Sequence, residues 1–305
     1  MTRRTFLQTT ALAGLAASLP AADQPRAFPS REGPGVGLSA TRLRKGIMYA
    51  TVGIKGSVLE KFQAIKAAGF AGVEVMSHMD QTEVLHARDA TGLEIPSVCG
   101  QHHWAKPLTD PNPATREFGV EALKQCLRDA KAYGAKSVLL VPGVVNQNIP
   151  YDVAYQRAQQ EIRKAIPLAE ELGVKISIEN VWNNFLLSPL EAARFVDEFK
   201  SPAVGWHFDI GNVLRYGWPE QWIRTLGKRI QMLHIKEYSL KKMNEEGLGK
   251  GFQVKFLEGD NNWPGIMKAL TEIGYRGWGI AEQPGGNTPE GLQDLSARMD
   301  KIFAS

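Results

Sequence analysis

Cysteine is scarce in this sequence, with only Cys99 and Cys126 among 305 residues. A zinc site of the finger or ribbon type needs cysteines in closely spaced pairs, so this class of site is excluded. Cys99 falls in a predicted strand and Cys126 in a predicted helix. We therefore expect two free, buried thiols rather than a disulfide, although an oxidising compartment outside the cytoplasm would permit a disulfide.

Nucleotide-binding loops and a strong excess of charge are also lacking. The segment TVGIKGS (51–57) closes the first predicted strand and contains neither G-x-G-x-x-G nor a P-loop. The formal net charge is only +4, and two of the arginines, Arg3 and Arg4, lie in a segment that we expect to be removed. This charge is too small for a nucleic-acid-binding surface, so no nucleic-acid partner is expected.

The N-terminal apolar run, residues 11–19, is too short to span a bilayer. It follows the twin arginine Arg3-Arg4 and precedes Ala-rich sequence. Residues 1–22 are therefore predicted to be a twin-arginine (Tat) export signal rather than a frayed helix or a membrane anchor, with cleavage near Ala22. We expect a periplasmic protein with no other membrane contact. Residues 23–44 are rich in proline, glycine and charge, and they are predicted to form a flexible tether.

From Lys45 onward a short apolar run, a polar loop and an amphipathic helical stretch recur about every 30–40 residues, the size of a βα unit. Helical periodicity is clear in 58–69 and 117–134, and glycines suited to helix C-caps follow several helices (Gly69, Gly134, Gly173). A count of eight units over roughly 250 residues favours a closed barrel over an open sheet. Residues 45–305 are therefore predicted to form one α/β domain, a (β/α)8 TIM barrel. The predicted strands are 46–52, 72–77, 95–102, 137–143, 175–180, 204–210, 231–237 and 278–283.

Polar residues stand where four consecutive predicted strands end: Glu179, Asp209, His234 and Glu282. Active sites of TIM barrels lie at this end of the strands. Each residue taken alone fits a structural role equally well, for example as a helix cap or a buried histidine. Three carboxylates that converge would repel and desolvate one another unless a cation neutralised them. A ligand set without thiolate predicts one divalent ion, with Mn²⁺ first and Mg²⁺, Co²⁺ or Zn²⁺ behind.

The motifs at these strand ends resemble those of the xylose-isomerase-like TIM-barrel superfamily, and more narrowly the sugar phosphate isomerase/epimerase group with hydroxypyruvate isomerase and the ketose 3-epimerases. The resemblance covers roughly residues 45–303. It implies that Glu179, Asp209, His234 and Glu282 are metal ligands, and that Glu179 and Glu282 also move protons on opposite faces of the substrate. The motifs are ENVWN (179–183), FDIGN (208–212), LHIKE (233–237), AEQPGG (281–286) and the closing segment 259–283.

This resemblance implies a metal-dependent sugar isomerase or epimerase that works by proton transfer through a metal-stabilised enediolate. Export favours a non-phosphorylated sugar or sugar derivative as the substrate. A lyase or dehydratase acting on a keto-sugar or 3-keto-glycoside would use the same site and is the first alternative. A non-catalytic sugar-binding protein is less expected. Apurinic endonuclease chemistry needs a histidine-rich trinuclear zinc centre, which six histidines and little net charge do not favour.

Further residues near the strand ends are candidates for substrate binding. Asn212 stands where ketose epimerases of this group usually have a histidine, so a narrow assignment as a ketohexose 3-epimerase is not made. Lys236 is expected either to stabilise an oxyanion or to form a salt bridge, and Trp104 and Trp182 either to contact a sugar ring or to pack. Residues 238–260 form a long loop, interpreted as a lid or an oligomer contact, and homo-oligomerisation is left open. The candidates are Glu74, His102, His103, Trp104, Trp182, His207, Asn212 and Lys236.

Overall fold

Eight parallel strands close into a barrel in which each strand pairs with its neighbours in sequence and β1 pairs with β8. The structure, a computed structural model, describes residues 43–305. The predicted (β/α)8 barrel is therefore confirmed. The strands are β1 (Arg44–Met48), β2 (Gly72–Met76), β3 (Ser97–Cys99), β4 (Ser137–Leu140), β5 (Lys175–Glu179), β6 (Val204–Asp209), β7 (Ile230–Ile235) and β8 (Trp278–Ala281).

Helices cover the outside of the barrel, and additional short helices lie in its longer connections. Within residues 43–305, none of the helices is both long enough and apolar enough to cross a membrane. The helices are α1 (Val58–Ala67), α2 (Gln81–Thr91), α3 (Pro113–Tyr133), α4 (Tyr151–Arg163), α5 (Ile166–Leu172), α6 (Pro189–Asp197), α7 (Ile210–Leu214), α8 (Pro219–Leu226), α9 (Leu240–Glu246), α10 (Trp263–Glu272) and α11 (Pro289–Phe303).

Strand β5 shows how the sequence builds the barrel and the site together. Alternate residues of a strand point to opposite faces. Ile176 and Ile178 are fully buried in the main hydrophobic core. Ser177 lies on the other face, where its hydroxyl is 2.7 Å from that of Ser137 on β4. Glu179 has the same parity as Ser177, so the strand brings it into the barrel mouth.

The predicted caps and the first strand differ in detail from the structure. Gly134 and Gly173 are left-handed C-caps with φ of 78° and 66°. Gly69 is also left-handed, but it follows the C-cap Ala68. Arg44 was assigned to the tether, and this is wrong. Its N–H donates to the carbonyl of Gly277 at 2.9 Å, and it begins β1.

The first predicted strand extends beyond the end of β1 at Met48. Residues 49–51 were predicted to continue the strand, and they form a 3-10 turn instead. Cys99 and Cys126 are free and buried, as predicted. The predicted export signal and all but the last two residues of the predicted tether lie outside the described residues.

The long connection after β7 is folded rather than irregular. It contains α9 and a 3-10 turn over Leu248–Phe252. The Phe252 ring lies 4.7 Å from the Tyr238 ring and 4.8 Å from the Trp182 ring. This connection therefore packs onto the C-terminal end of the barrel, beside the ends of β5 and β7.

Candidate active site

Four strand ends bring the predicted ligands together around His234. The imidazole Nδ1 lies 2.9 Å from Glu179 Oε1 and 3.0 Å from Glu282 Oε2. Asp209 Oδ2 is 3.9 Å from the same nitrogen. Glu179, Asp209 and His234 are buried, whereas the side chain of Glu282 keeps 23% of its surface exposed. Glu282 is therefore the carboxylate most open to the solvent.

Lys236 supplies a positive charge to the same group. Its Nζ lies 2.9 Å from Glu282 Oε2 and 3.4 Å from Asp209 Oδ2. The side chain is 13% exposed, and its ammonium lies 4.8 Å from the centre of the Phe252 ring. The structure thus shows the salt bridge that the sequence offered as one role for Lys236, directly on two of the proposed metal ligands.

Burial and neighbouring charges separate the protonation preferences of these carboxyl groups. Burial raises the pKa of Asp209 to about 8, although Lys236 opposes this shift. Burial also raises the pKa of Glu179, against the attraction of His234. For Glu282 burial acts in the same direction, but Lys236 and His234 outweigh it and hold its pKa well below the usual value. Their surroundings therefore shift the pKa values of Glu179 and Glu282 in opposite directions, as a proton donor and acceptor pair requires.

The same carboxylates raise the pKa values of the two basic groups of the site. Burial would lower the pKa of His234, but Glu74, Glu282 and Glu179 raise it well above the usual value. Burial likewise opposes the charge of Lys236, and Asp209 and Glu282 raise its pKa. The site as described contains an excess of negative charge that these two groups partly neutralise.

The geometry of the four residues fits a divalent ion. Each of Glu179, Asp209, His234 and Glu282 offers one donor atom, and these atoms all lie within 4.8 Å of one another. Adjacent ligands of an octahedral ion with bonds of about 2.1 Å are roughly 3 Å apart, and opposite ligands roughly 4.2 Å. The separations of 2.9, 3.0 and 3.9 Å around His234 Nδ1 match these values. Three carboxylates and one imidazole suit a hard or borderline metal ion.

Asn180 joins the end of β5 to the end of β6. Its Oδ1 accepts from the indole N–H of Trp206 at 3.1 Å and from the N–H of Asp209 at 3.0 Å. Its Nδ2 donates to the carbonyl of Asp209 at 2.7 Å. The buried amide therefore fixes the backbone that carries Asp209.

Asp209 also begins helix α7. Its Oδ1 accepts from the N–H of Asn212 at 2.7 Å as an N-cap. The side chain of Asn212 donates to the carbonyl of Asn180 at 3.0 Å. Asn212 thus lines the site and also closes the hydrogen-bonded loop between β5 and β6.

A pocket of about 220 Å³ lies above the carboxylates. His103 faces it, and burial lowers the pKa of His103 to about 4, so this imidazole is neutral near pH 7. Trp182 is held by its indole N–H, which donates to the carbonyl of Asn212 at 2.9 Å. Trp104 stands at the rim and is 51% exposed. The pocket is lined by Met48, Cys99, His103, Trp104, Leu139, Glu179, Val181, Trp182, Asn212, His234, Lys236, Phe252 and Glu282.

Three predicted substrate contacts lie away from this pocket. Glu74 and His207 are fully buried beneath the ligand group, so their predicted contact with substrate is not supported. His102 packs its ring edge-on against His78 at 4.6 Å and against Phe118 at 5.4 Å, beside the pocket. His103, Trp104, Trp182, Asn212 and Lys236 are on the pocket wall.

Phe252 was not assigned a role from the sequence, and Asn180 was left with several possible roles. Phe252 comes from the connection 238–260, whose length is the one signal that could have pointed to it. Asn180 directly follows Glu179 and was expected to orient Glu179 or the substrate, or to cap the turn; its partners on β6 are visible only in the structure. Both residues shape the site without belonging to the predicted ligand set.

Comparison with known proteins agrees with the fold. L-ribulose-5-phosphate 3-epimerase from Escherichia coli O1:K1 is 25% identical over 272 residues, which span 80% of this chain and 90% of that enzyme. The structure of 3-keto-D-glucoside 4-epimerase from E. coli superimposes with a TM-score of 0.72 at 16% identity, over 87% of this chain and 100% of that chain.

A second solved structure and a family profile complete the comparison. D-psicose 3-epimerase in the presence of D-fructose gives a TM-score of 0.71 at 17% identity, over 85% of this chain and 98% of that chain. Residues 62–302, which include all four proposed ligands, match the profile of one family. The chain therefore belongs to the xylose isomerase-like TIM barrel family.

Proposed function

We propose that this protein is a divalent-metal-dependent sugar epimerase or isomerase that transfers a proton at the carbon next to a carbonyl group. The observation that carries this proposal is the pair Glu179 and Glu282. Both carboxylates lie within 3.0 Å of His234 Nδ1 at the floor of one pocket, and their pKa values shift in opposite directions. The named activities of the sugar epimerases similar to this chain support the same reaction class.

Glu179, Asp209, His234 and Glu282 would hold the metal ion, with Mn²⁺ the first candidate. When bound, a divalent ion supplies polarisation of the substrate carbonyl and stabilisation of the enediolate. All other parts of the proposed reaction come from side chains of the chain itself.

The two glutamates take the roles of base and acid. The Glu282 carboxylate is kept ionised by Lys236, so it removes the proton from the carbon beside the carbonyl. Glu179, whose pKa burial raises, is the proposed acid that returns a proton to the substrate. Return to the opposite face gives an epimer, and return to the neighbouring carbon gives an aldose–ketose isomer. The roles are exchanged in the reverse reaction.

The residues that line the pocket suit a sugar substrate that carries no phosphate group. Among the described residues that line it, Lys236 is the only lysine or arginine, and its charge is engaged by Glu282 and Asp209. A phosphate dianion would need further cations or helix N-termini. The aromatic rings of Trp104, Trp182 and Phe252 instead offer apolar faces of the kind that cover a sugar ring.

We propose in addition that the enzyme works in the periplasm, after export by the Tat signal in residues 1–22. Free sugars and glycosides are more accessible there than phosphorylated intermediates, so location and pocket chemistry favour the same class of substrate. Fusion of residues 1–44 to a reporter that is active only after export tests this location. Replacing Arg3 and Arg4 by lysine should abolish the reporter signal.

Proton NMR in D₂O tests the reaction. Catalytic amounts of Mn²⁺-loaded protein are incubated with an excess of each sugar in a panel of ketoses, aldoses and 3-keto-glycosides. Deuterium at the carbon beside the carbonyl is the expected result, and the product separates epimerase and isomerase from a lyase, which would release a β-substituent. Sugar binding without exchange at any carbon would contradict the enzyme proposal.

Variants of the two proposed catalytic residues sharpen this test. Glu282→Gln should abolish exchange and weaken Mn²⁺ binding, because the amide neither accepts the proton nor carries the charge. Glu290→Gln, at the exposed start of α11, is the matched control and should exchange at the wild-type rate. Exchange retained in Glu282→Gln would refute its assigned role.

A further inference from the structure

Glu74 lies directly beneath His234, on the side away from the pocket. Its Oε1 is 2.8 Å from His234 Nε2, and both side chains are essentially inaccessible to solvent. We propose that Glu74 is a positioning residue that holds the hydrogen of His234 on Nε2 and so keeps Nδ1 free to bind the metal ion. This inference rests on the proposed metal site, but it concerns no step of the sugar reaction.

The imidazole of His234 stands between two sets of carboxylates. Nδ1 faces Glu179, Glu282 and Asp209 at 2.9, 3.0 and 3.9 Å. These carboxylates would attract the ring hydrogen to Nδ1, where it blocks coordination. Glu74 is the carboxylate that faces Nε2. Glu74 therefore counteracts the attraction of the other three carboxylates for the ring hydrogen. It favours the tautomer with the hydrogen on Nε2, which leaves Nδ1 free for a metal ion.

Metal-binding histidines usually donate their second ring N–H to a carboxylate or carbonyl, and such partners fix the ring orientation. The packing of His234 agrees with this role. The ring of His207 lies edge-on against it with the ring centres 4.2 Å apart, which limits rotation of the imidazole. Glu74 and His207 thus hold the orientation of the His234 ring from the side away from the pocket, and Glu74 also holds its tautomer.

Among residues 43–305, His234 is the one side chain that hydrogen-bonds to the Glu74 carboxyl group. Its Oε2 makes no hydrogen bond, and His207 Nδ1 is 3.9 Å away from it. The contact with His234 therefore accounts for the position of Glu74.

Glu74, His207 and His234 also form a group of donors within 4.8 Å that could itself hold an ion. A second ion at this place would need the Nε2 hydrogen to leave, so that His234 bridges two cations. The positioning role and the second ion therefore predict different metal stoichiometries and different protonation of Nε2.

The test compares Glu74→Ala and the isosteric Glu74→Gln with the wild type. Mn²⁺ affinity is measured by competition with a chelator, without any sugar. We expect roughly 10–100-fold weaker binding for Glu74→Ala. A smaller loss is expected for Glu74→Gln, whose carbonyl still accepts from Nε2–H. Glu161→Gln, which changes a buried carboxylate on α4, is the control and should bind like the wild type.

Long-range ¹⁵N–¹H correlation spectra of the Zn²⁺-loaded wild type report the tautomer directly, and a hydrogen on Nε2 of His234 is the expected result. Three results would overturn the proposal: a Mn²⁺ dissociation constant of Glu74→Ala within twofold of wild type, a hydrogen on Nδ1, or two ions per wild-type chain. Failure of sugar exchange alone would refute the proposed reaction and leave these metal-binding and NMR results standing.

Discussion

Replacing Asn180 by alanine should weaken both the fold and the metal site. The substitution removes three hydrogen bonds, with the indole N–H of Trp206 and with the N–H and carbonyl of Asp209. All of these groups are buried. A buried polar group that loses its partner costs about 1–3 kcal/mol. Because the three losses share one side chain, they are not additive, and the total is about 3–5 kcal/mol.

The size of the domain converts this loss into a measurable change. One kcal/mol shifts Tm by about 2–4 °C in domains of roughly 150–250 residues. Asn180→Ala should therefore lower Tm by roughly 6–20 °C, measured by calorimetry or circular dichroism on the metal-free protein. Since Asn180 holds the backbone of Asp209, Mn²⁺ affinity should fall as well.

The control for this prediction is Asn148→Ala. Asn148 lies exposed in the connection after β4, and its backbone N–H donates to the side-chain oxygen of Asn146. Its removal should change Tm by less than about 1 °C. A decrease in Tm of under about 2 °C for Asn180→Ala, with Mn²⁺ affinity unchanged, would show that the hydrogen bonds of Asn180 do not support the site.

Three more predictions concern the pocket. Because burial raises the pKa of Asp209 to about 8, a proton competes with the metal below this pH. Mn²⁺ affinity should thus decrease as pH falls from 9 to 6 in calorimetric titrations, and a flat profile would contradict the assignment. Lys236→Met removes a cation next to two ligands, so Mn²⁺ should bind more tightly while the exchange rate in D₂O falls at least tenfold; weaker Mn²⁺ binding would argue against this picture. Trp104→Ala should raise the KM for the sugar with kcat nearly unchanged, because the exposed ring contributes apolar contact only, and an unchanged KM would exclude that contact.

Much of the fold was accessible from the sequence because eight short apolar runs alternate with helical stretches, and some strands also show which face each residue takes. Strand β5, KISIE, is an example, because its outward-facing Ile176 and Ile178 alternate with the inward-facing Ser177 and Glu179. The residues at which the strands end were harder to predict from the sequence. Residues 100–102 were predicted to extend β3, which ends at Cys99 in the structure. Where neighbouring strands end at the mouth of a barrel, the hydrogen-bond ladder stops although the residue types still suit a strand.

The same alternation explains which parts of the site were predicted well. Parity correctly places His207 on the inner face with Asp209, but it does not give the depth. Positions two residues apart along a strand are separated by about 6.6 Å. His207 therefore lies deeper than Asp209, in the buried interior of the barrel and not in the pocket. Glu74 was predicted to contact the substrate, but it too lies buried below the pocket. Phe252 could not be placed, because the path of a 23-residue connection depends on packing between distant residues such as Trp182.

The helix cap at Asp209 has a consequence for the denticity of the proposed metal ligand. Oδ1 is committed to the N–H of Asn212 at 2.7 Å, so only Oδ2 is directed toward His234 and Lys236. Asp209 would therefore offer Oδ2 to a bound ion. If each of the four residues supplied one donor atom, a six-coordinate ion would keep two coordination positions for molecules other than the protein. The first turn of α7 therefore helps to make the proposed site a chelator of two adjacent oxygens rather than a closed structural metal site.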